Sequence, residues 1–593
     1  MKLKNRILAA LVAALMLCSL LAGCGGNNSD PAPTDNPPAA DPAAPSTTEP
    51  DPAPAGDDAP APAGDKTLKL YLAGFQNLDP QIWSWGTHAD RMGIFEGLTI
   101  LNPDFTTRLA NAEKLEHNDD YTVWTATLRK DLKWSDGTPL NANDYYYSHQ
   151  RIIDPQYLQG KTSAFNTNAP ILNALECQKT EVGFDQVGVK VLDDYTIEYT
   201  LDTPCADFDV RLAESWALPV PQHCIEQYGD EWTKPENIVV NGPYIPTARE
   251  EDVHLTLGPN ANYYEAPALE QIDLYMGTQN QLLAYQNGDI NVATLTAADI
   301  DGVMADANLA DQVQVFDTSV LTFIGLLKGD NDVLQRNPLI RQAISLSIDR
   351  QTIAQAVNKN TVTAANSLVY PGFASWANDL DIVEYNVEKA QELMTEAGYP
   401  NGEGLGTMTL LMSGTPGADT LAVADMITKG TGIQVQIVNL EWAAYVVDRD
   451  AYHEDGMWGI YMDAWNTSVA NVGGGFSNYQ FDMRVGNLEK DALRDFAAAA
   501  RAVAGEEAAR QTCKNEQANE YAAKYEQLLK ESDPTKLNEG YKELEIMRLE
   551  DASWIPLWWG KTTLLIQPSI QGYVGNPLLL NSPPFYFKDV SNG

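Results

Sequence analysis

The chain has 593 residues, with 81 Asp and Glu against 39 Lys and Arg and a formal net charge of −42. So acidic a surface repels nucleic acid, whose binding depends on cationic neutralisation of phosphates, and gains no attraction to anionic lipid. With 13 Trp and 26 Tyr, large cores and an aromatic-lined cavity are both within reach, and the length suits two or more domains.

The N-terminus is the most specific local signal. Lys2, Lys4 and Arg6 precede an apolar run from Ile7 to Leu21, broken only by Cys18 and Ser19, and then Leu21-Ala22-Gly23-Cys24. A basic start and a short apolar stretch read as a secretory signal; about 20 apolar residues are needed to span a bilayer. Small residues immediately before a Cys resemble the lipobox of bacterial lipoproteins. The resemblance implies a signal peptide over 1–23, cleavage before Cys24, a lipid on that Cys, and an extracytoplasmic protein held to the cell membrane by the lipid alone. From Gly25 to Asp65 there are eleven Pro, ten Ala and eight acidic residues, without a Lys, Arg or aromatic residue. Such a tract cannot bury enough apolar surface to order itself and predicts an extended spacer. The body therefore starts near residue 66.

Within the body, Trp124, Ala126 and Leu128 alternate ahead of the turn residues Ser135-Asp136-Gly137-Thr138-Pro139. Val187, Val189 and Val191 alternate, Asp193-Asp194 marks a turn, and Tyr195, Ile197, Tyr199 and Leu201 alternate again, which predicts a β-hairpin. Pro338 suits a first helical turn, with Leu339, Ile340, Ala343, Ile344 and Ile348 following at helical spacing. A helix is predicted from Val387 to Ala397, ending at Gly398, then a strand through Ile433, Val435 and Ile437. Ala-rich segments at 491–504 and 516–529 are helical by propensity. Helices and strands so mixed give an α/β or α+β chain of several lobes. Export permits disulfides among Cys177, Cys205, Cys224 and Cys513; Cys205 and Cys224, close in sequence, are the first pair to test. Arg129 and Asp136 are candidates for a surface ion pair.

A series of short runs then carries a resemblance across nearly the whole body. In order they are Asn77-Leu78-Asp79-Pro80, Phe95-Glu96-Gly97-Leu98, Trp134 to Leu140, and Arg151-Ile152-Ile153-Asp154-Pro155. Asn241-Gly242-Pro243-Tyr244, Gly288-Asp289-Ile290, Ile340-Arg341-Gln342-Ala343-Ile344-Ser345, Ile348-Asp349-Arg350 and Glu396-Ala397-Gly398-Tyr399 follow. Singly each is weak; their number and order resemble the large oligopeptide- and dipeptide-binding proteins of ABC importers, solute-binding family 5. The resemblance implies an α/β, two-lobed fold of the periplasmic-binding-protein type (class II, cluster C), with an extra subdomain in the first lobe and a hinge. It places lobe I at 66–325, lobe II at 326–545 and a return to lobe I at 546–593, with crossings near 320–330 and 545–555. It also implies a peptide or other small solute as ligand, a permease and ATPase subunits as partners, a monomer, and no cofactor or metal.

Carried over residue by residue, the resemblance puts Ser84, Trp85, Tyr147, Trp442, Arg449, Trp465 and Trp559 at the ligand cleft. For each aromatic the competing reading is ordinary core packing. One position departs from the pattern. Three residues after the matching Trp, peptide-binding relatives carry an Asp that pairs with the ligand's α-ammonium; here it is Ser468. An unpartnered buried ammonium is costly, so Asp463 becomes the candidate substitute. The many Trp residues also suit an oligosaccharide, and a metal chelate is a further alternative. A secreted hydrolase is disfavoured, since His-Glu-x-x-His, a phosphate-cradling loop and Gly-x-Ser-x-Gly are all absent.

Overall fold

The computed structural model describes residues 66–72, 78–82, 93–158, 163, 165, 169–277, 280–329, 333–453, 456–466, 516–578, 584 and 586–593. The chain divides into two units, Met1–Ala61 and Pro62–Gly593. The first, with Cys24 and most of the Pro/Ala tract, lies outside the described residues, as do Ser84, Trp85, Ser468, Cys513 and the segment 491–504 for which a helix is predicted.

The second unit is organised by one large mixed sheet. Its order runs Gln434–Leu440, Thr407–Ser413, Gly459–Asn466, Val313–Leu326, Ile555–Ile566, Val292–Thr294, Thr67–Leu72, Gln271–Met276, His254–Pro259 and Tyr244–Glu250, with Val362–Ala364 also paired to Ile555–Ile566. Period-2 patterning explains the strands: in Thr67–Leu72, for instance, Leu68, Leu70 and Leu72 all point inward. Two separate cores flank the sheet. One gathers Leu68, Leu70, Leu274, Leu564 and Ile566 with Trp124, Ile197 and Tyr199 of a four-stranded subdomain sheet, Ala112–His117, Val123–Leu128, Thr196–Thr200 and Val189–Asp193. The other gathers Ile340, Ile344, Leu410, Ile427, Ile460, Ile555 and Trp558. This is the two-lobed α/β fold with a subdomain in the first lobe.

Only Val313–Leu326 and Ile555–Ile566 serve both halves among the described strands, and they are antiparallel neighbours. Their pairing is regular from Val313 to Asp317 and shifts twice, between Asp317 and Leu321, where Gly560 stands opposite, and between Thr322 and Phe323. The helix Pro534–Asp551 leads into the second of these strands.

The quoted runs are mostly joints of the fold. Asp79 and Arg151, from two different runs, form a buried ion pair at 2.6 Å. Asn241 accepts from the Glu96 amide and donates to the Glu96 carbonyl, while Glu96 accepts from the hydroxyls of Tyr263 and Tyr264. Gly242 makes this joint possible, since a Cβ there would lie 2.3 Å from the Gly93 carbonyl. Arg341 reaches Asp551 at 2.6 Å, with both side chains at 2 % exposure or less. Arg350 donates to the carbonyls of Pro556, Val383, Ser345 and Ile348, and burial, only partly offset by the Asp349 charge, lowers its pKa to about 9. The predicted hairpin, the Pro338 helix capped by Asn337, and the Val387–Glu396 helix all form.

Two expectations are corrected. Arg129 pairs with Asp131, two residues away, and stacks over Tyr264 at 4.1 Å. Asp136 instead turns to Thr138 and His223. Cys205 and Cys224 are not bonded; their thiols donate to different acceptors, Asp207 and the Asn237 carbonyl.

Two outcomes follow from these buried groups. Asp551→Ala strands the Arg341 guanidinium, and calorimetric unfolding is expected to show a loss of about 3–5 kcal/mol. His149 is fully buried, shares a 2.8 Å hydrogen bond with the Tyr199 hydroxyl, and has its pKa lowered by burial from 6.5 to about 3. The unfolded chain takes up this proton near pH 6.5 and the folded chain only near pH 3, so stability falls as pH drops through that window. The limiting slope is about 1.4 kcal/mol per pH unit. Urea titrations of His149→Gln between pH 4 and 7 are expected to lack that component.

Candidate functional site

The strand Gly459–Asn466 pairs antiparallel with Val313–Leu326, so that Leu321 faces Trp465, Phe323 faces Asp463 and Gly325 faces Tyr461. Leu321 is also opposite Trp559 on the return strand. Directly opposed residues share a face of a sheet, so Trp465, Leu321 and Trp559 stand in one row across three strands. Trp465 is half-buried and packs edge-on to Trp554 at 6.3 Å. Trp554 stacks on Phe323 at 4.5 Å. Trp559 is buried and meets Tyr370 edge-on at 5.3 Å, yet its indole N–H has no hydrogen-bond partner. A buried unpaired donor is uncommon.

The helix Trp442–Arg449 lies beside this row. Tyr445, three residues after Trp442, is fully buried and donates to the Met462 carbonyl at 3.1 Å. That pins the helix and leaves Trp442 on its outer side, 54 % exposed. One turn after Tyr445, Arg449 reaches Asp463 at 2.6 Å and also holds Asp450. Burial lowers the Arg449 pKa, but Asp450 and Asp463 outweigh it and raise the value overall. Burial, with the Asp463 charge behind it, raises the Tyr445 phenol. The second Asp463 oxygen accepts from the Ala464 amide. Asp463 is therefore a carboxylate already ion-paired, to a guanidinium that it shares with Asp450.

Tyr147 belongs to a different place. The helix Ala142–Ile153 carries it, started by a capping box between Asn141 and Asp144. Its ring lines a cavity of about 490 Å³ with Gln150, Arg151, Tyr157, Gln222 and Glu226. None of the Trp442, Trp465 or Trp559 group lines that cavity, so the structure brings Trp465, Asp463, Arg449 and Trp559 together and leaves Tyr147 apart. The sequence reading missed Tyr461 and Trp554. Tyr461 was legible, since Tyr461, Asp463 and Trp465 alternate at period 2; Trp554 carries no local signal. Among the described residues no group of His, Cys, Asp and Glu is arranged to hold a metal, and no helix is long and apolar enough to cross a membrane.

A double-mutant cycle on Arg449→Met and Asp463→Asn, read by chemical unfolding, is expected to give a coupling of about 1–3 kcal/mol. Additive effects would mean that the pair does not form in solution.

The sequence model of the family "Bacterial extracellular solute-binding proteins, family 5 Middle" matches residues 106–487. The "Probable deoxycholate-binding periplasmic protein YgiS" of Escherichia coli is 27 % identical over 512 residues, covering 84 % of this chain and 88 % of its own. The periplasmic oligopeptide-binding protein OppA of Salmonella typhimurium is 27 % identical over 533 residues, covering 84 % and 87 %. Among solved structures, the murein tripeptide binding protein MppA of Escherichia coli superposes with a TM-score of 0.66 at 23 % identity, over 89 % of this chain and 99 % of its own. Haemophilus influenzae OppA in complex with RPPGFSPFR gives 0.65 at 20 % identity, over 89 % and 99 %.

Proposed function

Because the chain belongs to the bacterial extracellular solute-binding proteins of family 5, we propose that it captures a peptide between two lobes and delivers it to an ABC importer. The lobes are assigned as 66–325 and 326–545 with a return at 546–593, turning about the irregular pairing between Asp317 and Leu321. Cys24 carries a lipid that tethers the body, as a monomer, outside the cell membrane, and the protein binds its ligand without chemical turnover. The observation that carries the ligand reading is the aromatic row of Trp465 and Trp559 beside the exposed Trp442. Aromatic faces hold apolar and planar groups of varied side chains without demanding one geometry. Arg449, Ser84, Trp85 and Ser468 complete the proposed contact set, the last three from outside the described residues; Tyr147, which lines a separate cavity in this structure, joins them when the lobes close.

The Arg449–Asp463 pair changes how a peptide is held. An incoming α-ammonium meets an Asp463 whose oxygens are already taken by Arg449 and the Ala464 amide, so Asp463 is a poor anchor. The ligand is therefore retained by stacking and by acceptors such as one for the Trp559 N–H. The same observation favours a second reading, an apolar ligand without an ammonium, in line with the relative named for deoxycholate. Oligosaccharide and metal-chelate ligands remain further arms of the same test.

Mass spectrometry of solute released from protein purified without refolding identifies the class directly; a peptide is expected, and a steroid or sugar alone overturns the peptide reading. By calorimetry, free and N-acetylated forms of one peptide are expected to bind within about twofold of each other. Trp465→Ala is expected to weaken both at least about tenfold, or about 1.4 kcal/mol. Cys24→Ser is expected to leave the membrane fraction; retention of that variant in carbonate would remove the lipid anchor.

A further inference from the structure

The turn Asn102–Thr106 joins two short strands of the first lobe, Thr99–Leu101 and Thr107–Leu109. It is tied internally. The Asn102 amide donates to the Thr106 carbonyl at 2.8 Å and the Phe105 amide to the Asn102 carbonyl at 2.9 Å. Asp104 accepts from both the amide and the hydroxyl of Thr106. Held in this way, Phe105 has φ 64°, a left-handed backbone that bulky L-residues seldom adopt.

The ring so presented does not pack only within its own lobe. It meets Phe373 edge-on at 4.8 Å and Tyr370 edge-on at 6.2 Å, both in the segment assigned to the second lobe. Tyr370 stands 5.3 Å from Phe373 and 5.3 Å from Trp559. An unbroken chain of rings thus runs from the turn of the first lobe to the aromatic row of the proposed ligand site. Gly372 leaves room for it: a Cβ there would lie 2.4 Å from a Tyr370 ring carbon and 3.1 Å from a Phe105 ring carbon. A second link between the lobes, Lys359 to Asp301, is exposed at both ends and adds little, since such pairs are screened by solvent and salt.

On the solute-binding reading above, on which this rests, we propose that Phe105 is the latch between the lobes. Its ring seats against Tyr370, Gly372 and Phe373, and the cleft opens only when it withdraws. The contact with Tyr370 makes the seat sensitive to what lies against Trp559, so that a ligand displacing or fixing that indole also fixes the latch. Phe105 is a positioning residue, acting on ligand retention through the lobes and not by touching the ligand.

The test uses the full chain with no ligand added, so its outcome is separate from the identity of the solute. Phe105→Ala removes the latch from one lobe, and Gly372→Val wedges its seat from the other. Both are expected to raise the radius of gyration in small-angle scattering. Both are also expected to speed amide exchange at least about tenfold, or about 1.4 kcal/mol, in 366–377 and in 555–562 as well as in 99–109. Phe105→Leu, which keeps an apolar contact, is expected to fall between wild type and Phe105→Ala. High salt, which screens the exposed Lys359–Asp301 link, is expected to change neither readout. Faster exchange confined to 99–109, with an unchanged radius in both variants, would make Phe105 a local packing residue and end the proposal. Should Phe105→Ala fail to fold, Gly372→Val and Phe105→Leu decide the same question.

Discussion

Everything in the molecule depends on keeping two antiparallel strands, Val313–Leu326 and Ile555–Ile566, in register while two cores form on either side of them. Two buried guanidiniums fix the end of the return strand and the helix before it. Arg341 takes the Asp551 carboxylate and backbone carbonyl at the end of Pro534–Asp551. Arg350 takes the Pro556 carbonyl, in the second residue of the strand. An Arg carries five donors in a rigid fork, and here most go to backbone carbonyls that are otherwise lost to water. Removing one leaves several buried acceptors unpaired at once, which is why these sites are costly to change.

From that fixed register the candidate site follows. With Leu321 set against both Trp465 and Trp559, alternation alone decides that the two indoles fall on the same face. The seven-residue reach from Trp442 to Arg449 then does two opposite things. Tyr445 anchors the helix inward, and the anchoring turns Trp442 out to solvent. Arg449 folds back onto Asp463 and occupies it, while also holding Asp450. The site is therefore rich in aromatic surface, and among the described residues its Asp463 carboxylate is already occupied. That is a different balance from one built around a free carboxylate, because stacking tolerates many side chains whereas a charge demands its partner.

The short runs that carried the resemblance divide in an instructive way. Asp79 with Arg151, Glu96 with Asn241, and Arg341 with Asp551 are joints between segments far apart in the chain. They explain why residues that look functional in a list, acidic and basic and regularly placed, belong to the fold. The aromatics Trp442 and Trp465 keep exposed surface. Buried charge in this protein holds structure, and exposed or unpaired aromatic groups are what remains for a ligand.

The sequence by itself determined the elements whose signal is local. The Val189–Asp193 and Thr196–Thr200 hairpin, the Pro338 helix with its Asn337 cap and the Gln434–Leu440 strand are specified by period and by turn or cap residues within a few positions. It also determined which residue types gather near the site, since Trp465 and Asp463 lie two apart on one strand. Only the tertiary structure decided the rest. Arg129 chose Asp131 over Asp136 because a carboxylate two residues away needs no chain closure to reach it. Cys205 and Cys224 found separate acceptors, because closeness in sequence says nothing about where a loop residue and a helix residue point. Tyr147 was set apart from Trp465, and Phe105 was brought against Tyr370, by contacts between residues hundreds of positions apart. Such contacts depend on how two lobes pack about a shared pair of strands, and no local pattern of residues encodes that distance.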